Sequence, residues 1–405
     1  MGKVCLDECK ASSFGAVGRG NRVALASHGN PPRADLVAVD DQEPYNRARL
    51  SFTRSEKCGM GDQPRIARVV IPAFRAVATI KECVSAIARS TADAAIEIVV
   101  VDDGENPGLA HILSHLPVTI KKTGGSGSAA VARNLGAADF PSGVLLFVDA
   151  DVVVRPNTLQ LLISPILEGK ADAVVGNYSQ EVSGHGFAAK YKQLYISCVY
   201  DRRAGYLHND FWTAVGAIDA STFYALGGFD QSVRGACGED GELGVRLTAA
   251  GRRIIGLPGA TGRHLHKLDL QNLIVNDWRK GRIALQNRAA SKGRLSDNKH
   301  ARPRDILSVI LAVVALGAVP GAFCAMIGPP VFWALPMVIA FGGYLAARCD
   351  VMARFATQGL WFSFRAFWVM LTLDLVRCAC VLSRVFETKA SFPSRETQWR
   401  STENV

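Results

Sequence analysis

The sequence predicts a doubly wound α/β domain with a mostly parallel sheet, followed by an α-helical membrane hairpin. Three observations predict it. From residue 68 onward, short β-branched runs alternate with helical segments. The stretches that combine Asp with Gly fall where those runs end. Long uncharged runs are confined to the region after residue 305, so the 49% hydrophobic content averages a water-soluble part and a membrane part.

Residues 1–64 are rich in Gly, Ser, Asn, Pro and mixed charge without sustained periodicity, which predicts a disordered N-terminal tail. The tail has no apolar h-region, against a cleaved signal peptide. Leu6 stands where a Met-Gly myristoylation motif has Ser or Thr. The α/β domain is expected over 65–290. Its first strands are RVVIPAF (68–74), IEIVVV (96–101), VTIK (118–121) and VLLFV (144–148), continuous apolar runs that suit strands buried on both faces. Between the first two, Thr79 and Glu82 have the spacing of a capping box, and Ile80, Cys83, Val84 and Ile87 make one apolar stripe of a helix. Such β-α-β alternation places the ligand site at the carboxyl ends of the strands. Further on, 187–203 reads as a helix and 211–218 as extended. Residues 240–250 read as a helix stopped by Gly251, 253–257 as a strand, and 268–290 as a basic amphipathic helix.

A basic juxtamembrane linker, 291–305, leads to an uncharged run at 306–328 that is long enough to span a bilayer. Pro329 and Pro330 break the chain before a second run at 331–347, so 306–347 reads as a two-helix transmembrane hairpin. Arg365, Asp374 and Arg377 interrupt the apolar stretch 359–386, so 348–390 reads as an interfacial helix or a third membrane segment. Residues 391–405 form a polar tail. Lys and Arg crowd 267–304, just before the first span, as on the cytoplasmic flank of a membrane protein. The net charge of +10 therefore points to a membrane surface and lipids rather than nucleic acid. The expected location is the plasma or inner membrane, multi-pass, with the α/β domain in the cytoplasm. The ten cysteines show no paired metal spacing and are expected as reduced, mostly buried thiols.

Four motifs carry chemistry. VVVDDG ends at Asp102, Asp103 and Gly104, where a strand-end carboxylate can accept hydrogen bonds from a base or ribose. In KKTGGSGSAAVARNLGA (121–137), Gly124, Gly125 and Gly127 free the backbone before a helix starting near Ser128, which offers N–H groups to phosphate. Arg133, in that helix, adds a cationic contact to a diphosphate. VLLFVDADVVV delivers Asp149 and Asp151 together, and in an extended chain both carboxylates face one cation. In GACGEDGELGVRLTAAG (235–251), Glu239 and Asp240 open a helix whose dipole keeps them ionised, ready to accept a proton. His264 and His266 alternate in an extended segment, so either can complete a metal site.

These motifs, in this order and at these distances, resemble those of the inverting family 2 glycosyltransferases with the A-type nucleotide-sugar fold. The resemblance covers roughly residues 67–290 and includes the Ala-Leu-Gly-Gly-Phe-Asp stretch at 225–230. It implies a nucleoside-diphosphate sugar donor and a divalent metal, Mg²⁺ or Mn²⁺. It places Pro72, Ala73, Asp102, Asp103, Gly125, Arg133 and Asp149 on the nucleotide sugar. Asp149, Asp151 and His266 would hold the metal, Asp240 would be the catalytic base, and Glu239 and Trp212 would lie on the acceptor side. The acceptor is expected to be lipid-linked or a glycan. The Gln-x-x-Arg-Trp motif of processive polysaccharide synthases does not appear, since Trp278-Arg279 lacks the Gln. A processive polysaccharide synthase, a nucleotidyltransferase and a catalytically silent membrane scaffold of the same fold are the rival readings.

Overall fold

Eight-residue runs of mainly β-branched residues form β1 (Ile66–Ala73) and β2 (Ala95–Asp102), which pair in parallel from Ile66↔Ala95 to Ala73↔Asp102. Both strands therefore end at one level, and the loops that follow them face the same side of the sheet. The computed structural model describes residues 66–104, 106–181, 186–207, 209–233, 238–265, 268–290, 307–314 and 331–386. The expectations for the N-terminal tail, the 291–305 linker, the polar C-terminal tail and His266 lie outside the described residues.

The first half of the sheet is parallel, as expected. β3 (Thr119–Lys122) pairs with β2, and β4 (Val144–Val148) pairs with β1. Direction then changes at β8 (Val215–Asp219), which runs antiparallel to β4 and to β6 (Ala173–Tyr178). β9 (Ile254–His264) runs parallel to β6, while β5 (Val152–Val154) and β7 (Gly205–Leu207) pair antiparallel with β9. The order is β3-β2-β1-β4-β8-β6-β9-β5. An apolar run signals that a strand is buried but not its direction, so the mixed second half was not foreseeable. The strand expected at 253–257 continues to His264, which places that histidine inside β9 rather than beyond it.

Alternate residues of each central strand feed two cores. Val69, Ile71, Val144, Leu146 and Val148 pack on one side, with α1 (Ile80–Ala88), α2 (Leu109–Leu113) and α4 (Thr158–Leu167). Val70, Leu145 and Phe147 pack on the other, with α3 (Ala129–Ala137), α6 (Ala220–Ala225) and α7 (Glu239–Ala249). Both sheet faces are thus covered, which is why these strands carry no polar alternation. The capping box expected at Thr79 and Glu82 does not form. Thr79 sits at φ −121°, ψ −28°, off the extended backbone of a working N-cap, and Glu82 instead accepts from Arg263 at 2.6 Å.

A third core joins α5 (Phe187–Asp201) and α8 (Leu270–Ala290) to the C-terminal helices α9 (307–314), α10 (Val331–Ala347), α11 (Cys349–Ala356) and α12 (Leu360–Phe386). Residues 315–330 lie outside the described residues, so the hairpin expected over 306–347 is described only in part. Among the described residues, one stretch, Leu360–Ser383 of α12, is long and apolar enough to cross a membrane. Two of the charges that interrupt it, Asp374 and Arg377, are paired. Asp374 is fully buried and accepts from Arg348 and Tyr344 at 3.0 Å and from Arg377 at 2.8 Å. Arg377 also reaches Asp277 of α8 at 3.0 Å. A carboxylate so placed persists only because the surrounding cations offset its lost hydration.

Candidate functional site

The site is built on the loops after β1, β2 and β4. Asp102 closes β2, and its Oδ1 accepts from Gly104 N at 3.1 Å and from Asn106 Nδ2 at 2.8 Å. The same Asn106 amide donates to Ala73 O at 2.8 Å, while its Oδ1 accepts from Ala76 N at 2.8 Å. Asn106 therefore fastens the end of β1, with Pro72 and Ala73, to the Asp-Asp-Gly corner. Nothing in its local sequence announced that role. Asp103 turns the other way. It is buried, and its Oδ1 accepts from the Thr123 and Ser126 hydroxyls and from Ser126 N at 2.9 Å. Its carboxylate anchors the Gly-rich loop, so of the two corner aspartates Asp102 is the one placed at the mouth of the site.

That anchoring brings two glycine turns together. Gly104 adopts φ +98°, and a Cβ there would approach Gly125 Cα to 3.3 Å. Gly125 itself adopts φ +87°, its N–H donating to Thr123 Oγ1 at 3.1 Å. The loop enters α3 at Ser128, whose hydroxyl caps the helix from Val131 N. The Gly125 and Ser126 N–H groups are thus taken up within the loop, and α3 starts directly after it.

The chain leaves β4 through Asp149, Ala150 and Asp151. The Asp149 side chain remains 34% exposed, and its Oδ1 accepts from Arg133 Nη2 at 2.8 Å. Because β5 pairs antiparallel with β9, Val152 lies opposite His264, and the His264 imidazole meets Asp151 Oδ2 at 3.2 Å. Partial burial raises the pKa of Asp149; Arg133 opposes that shift and the neighbouring Asp151 adds to it. Two carboxylates that repel each other beside an imidazole make a donor set that suits a hard divalent cation. Among the described residues no three acidic, His or Cys side chains close into a cluster for a metal.

Arg133 departs from expectation. Its side chain is only 4% exposed, and its other nitrogen donates to Glu239 Oε1 at 2.6 Å. Burial alone would lower its pKa, but Asp149 and Glu239 more than offset this and hold it above its ordinary value. The guanidinium thus bridges two buried or half-buried carboxylates instead of facing a diphosphate. Glu239, expected on the acceptor side, is correspondingly buried; desolvation raises its pKa, Asp240 adds to the rise and Arg133 opposes it. Glu242 lies in a second ion pair, with Arg246. Asp240, between them, stays partly exposed, one oxygen accepting from Gly241 N at 2.7 Å. Asn134, one residue beyond Arg133, exchanges two hydrogen bonds with the Phe229 backbone, at 2.8 and 2.9 Å, and so fixes the Gly-Gly-Phe-Asp turn. Trp212 stands half-buried between Tyr200 (4.2 Å) and Tyr178 (4.7 Å), and Tyr178 lies 4.8 Å from the His264 ring. The expected acceptor-side tryptophan is therefore part of an aromatic wall beside Asp151 and His264.

Residues 68–229 match the family model described as glycosyl transferase family 2. This segment is a family 2 glycosyltransferase domain. Among curated proteins, the glycosyltransferase GlyG of Streptococcus pneumoniae serotype 4 is 30% identical over 152 residues, 34% of this chain and 50% of that protein. The pre-mycofactocin glycosyltransferase of Mycobacterium tuberculosis is 26% identical over 223 residues, 53% and 46% of the two chains. The chain thus spans about half the length of the curated relatives it matches. Among solved structures, the mannosyltransferase PcManGT of Pyrobaculum calidifontis, in complex with GDP-Man and Mn²⁺, is 16% identical with a TM-score of 0.48, covering 81% of this chain and 88% of its own.

Proposed function

We propose that the chain transfers a sugar from a nucleoside-diphosphate sugar to an acceptor hydroxyl, with inversion, in a metal-dependent reaction at a membrane surface. The observation that carries this reading is the Arg133 bridge. It ties the carboxylate that follows β4 to the acidic start of α7, and so sets Asp240 beside the Asp149–Asp151 turn. The match of 68–229 to the family, and the relatives called glycosyltransferases, support the same reaction class.

In the mechanism, Asp102 and the N-terminus of α3, which the Gly125 loop leads into, hold the donor's nucleoside and diphosphate. Asp240 accepts the proton of the acceptor hydroxyl. The acceptor oxygen then bonds to the anomeric carbon as the bond from that carbon to the diphosphate oxygen breaks on the opposite face. Holding both reactants in line accounts for much of the acceleration. Asp149 and Asp151, with His264 beside them, would hold Mg²⁺ or Mn²⁺, which when bound neutralises charge on the departing nucleoside diphosphate. His264 takes the place in that set that the sequence reading gave to His266. The acceptor is a lipid-linked or glycan hydroxyl, and the domain, residues 65–290, faces the cytoplasm, where nucleotide sugars are made.

The full chain, purified with membrane lipid and supplied with a panel of nucleotide sugars, is expected to release nucleoside diphosphate from one of them in the presence of Mg²⁺ or Mn²⁺. Release of pyrophosphate instead would identify a nucleotidyltransferase, and release of neither from any donor would leave the scaffold reading. Asp151→Asn keeps the side chain's shape and removes one negative charge from the cation site. It is expected to abolish the metal dependence of donor binding in calorimetric titrations. An unchanged metal dependence would show that the cation, if any, sits elsewhere.

A further inference from the structure

The described part of α12 carries two faces. One packs on the α/β domain over most of the helix: Phe362 meets Phe187 of α5 at 5.0 Å, and, eighteen residues on, Cys380 Sγ lies 3.6 Å from Trp278 O of α8. At 1.5 Å per residue those contacts are about 27 Å apart, close to the thickness of a bilayer core. The helices they touch carry Lys190, Lys192, Arg279, Lys280 and Arg282. Were α12 upright in a bilayer, it would draw these cations into hydrocarbon, at a cost that disfavours that orientation. The other face is apolar and open, with Leu360 88%, Trp361 70%, Phe364 55% and Trp368 50% exposed. A helix with one face on a water-soluble domain and aromatic residues on the other lies along a membrane interface.

At the start of this helix is a cavity of about 470 Å³, where the first turn of α5 meets the α11–α12 elbow. Lys190 and Arg365 line it together with Gln358, Trp361 and Leu360. No carboxylate is among the described residues that line it. Both cations are steadied on aromatic rings, Arg365 over Phe187 at 4.3 Å and Lys190 over Phe362 at 5.7 Å. Two oriented cations over an apolar, aromatic floor match an anionic phosphate joined to acyl chains, and a neutral zwitterionic headgroup matches them less well. From this juxtaposition we propose that the α5–α12 cavity binds the phosphate of an anionic membrane phospholipid, whose acyl chains lie along the Trp361–Phe364–Trp368 face.

The test uses the full chain reconstituted in vesicles that contain either brominated phosphatidylglycerol or brominated phosphatidylcholine at equal fraction. Quenching by each lipid is read as the difference between the chain and its Trp361→Phe variant, which isolates that one indole. Each cation near a lipid surface favours an anionic headgroup by about fivefold, so the two together are expected to give a local preference for phosphatidylglycerol of about twentyfold. The Lys190→Gln/Arg365→Gln pair should bring the two lipids level, and Arg365→Lys should keep most of the preference. Circular dichroism and thermal melting check that the variants are folded. Equal quenching by both lipids in the unaltered chain, or a preference that survives the double substitution, would overturn the cavity as a phosphate site. Quenching by neither would overturn the placement of α12 at the membrane. The readout does not depend on sugar transfer, so failure of either proposal leaves the other standing.

Discussion

Asp240→Asn is expected to lower turnover by about two to four orders of magnitude, the usual worth of a positioned base, while donor and metal binding stay nearly intact. The geometry explains why Asp240 is chosen among three acids on α7. Glu239 is buried against Arg133 and Glu242 is paired with Arg246, so both are committed to holding structure. Asp240 stands partly exposed in the first turn of α7, where the helix dipole favours a carboxylate. If its role were capping alone, Asn would substitute with little loss, because Asn caps helices about as well as Asp. Nucleoside diphosphate release in single-turnover and steady-state assays, with donor affinity measured alongside, separates the two. Near-normal transfer by a folded Asp240→Asn chain would remove it as the base.

Much of this site was legible because its residues stand at strand ends, and a buried strand announces where it ends. VVVDDG and VLLFVDAD each break from unbroken apolar residues into carboxylates, and β2 and β4 do end at Asp102 and Val148. Ser128 caps α3 where the Gly-rich loop foretold a helix start. What could not be read were partnerships between side chains distant in sequence. Arg133 and Glu239 are 106 residues apart, and Asn134 and Phe229 are 95 apart. A helical arginine beside a Gly-rich loop reads as a phosphate ligand unless the fold is known to bring a buried glutamate against it. The sequence left His264 and His266 both open as ligands and favoured His266; the contact of His264 with Asp151 was fixed only by the antiparallel pairing of β5 with β9, and three-residue β5 left no pattern to detect. The C-terminal charges followed the same rule. Asp374 and Arg377 interrupt an apolar stretch in the sequence, but in the fold they complete a network with Arg348, Tyr344 and Asp277.

The other large effect is expected at Arg133. Arg133→Met keeps an unbranched stem and most of the volume of the side chain but removes the charge between Asp149 and Glu239. Glu239 would then be a buried carboxylate facing no cation, and breaking a buried pair from one side costs about 3–5 kcal/mol. One Glu239 oxygen already lies buried without a hydrogen-bond partner, so little else nearby can take up the charge. The melting temperature should fall by about 10 °C in thermal unfolding. If Arg133 instead served a diphosphate directly, as the sequence alone suggested, the same variant would melt normally and lose donor affinity. A second substitution sharpens the distinction. Arg133→Met/Glu239→Met removes both charges, and replacing a buried pair by apolar side chains of similar volume is often close to neutral. The double variant should therefore recover most of the lost melting temperature. It should not recover turnover, because Asp149 and the start of α7 would no longer be tied through one guanidinium. Recovery of both would make the bridge a matter of stability alone, and recovery of neither would show that Arg133 contributes to folding through contacts other than these two.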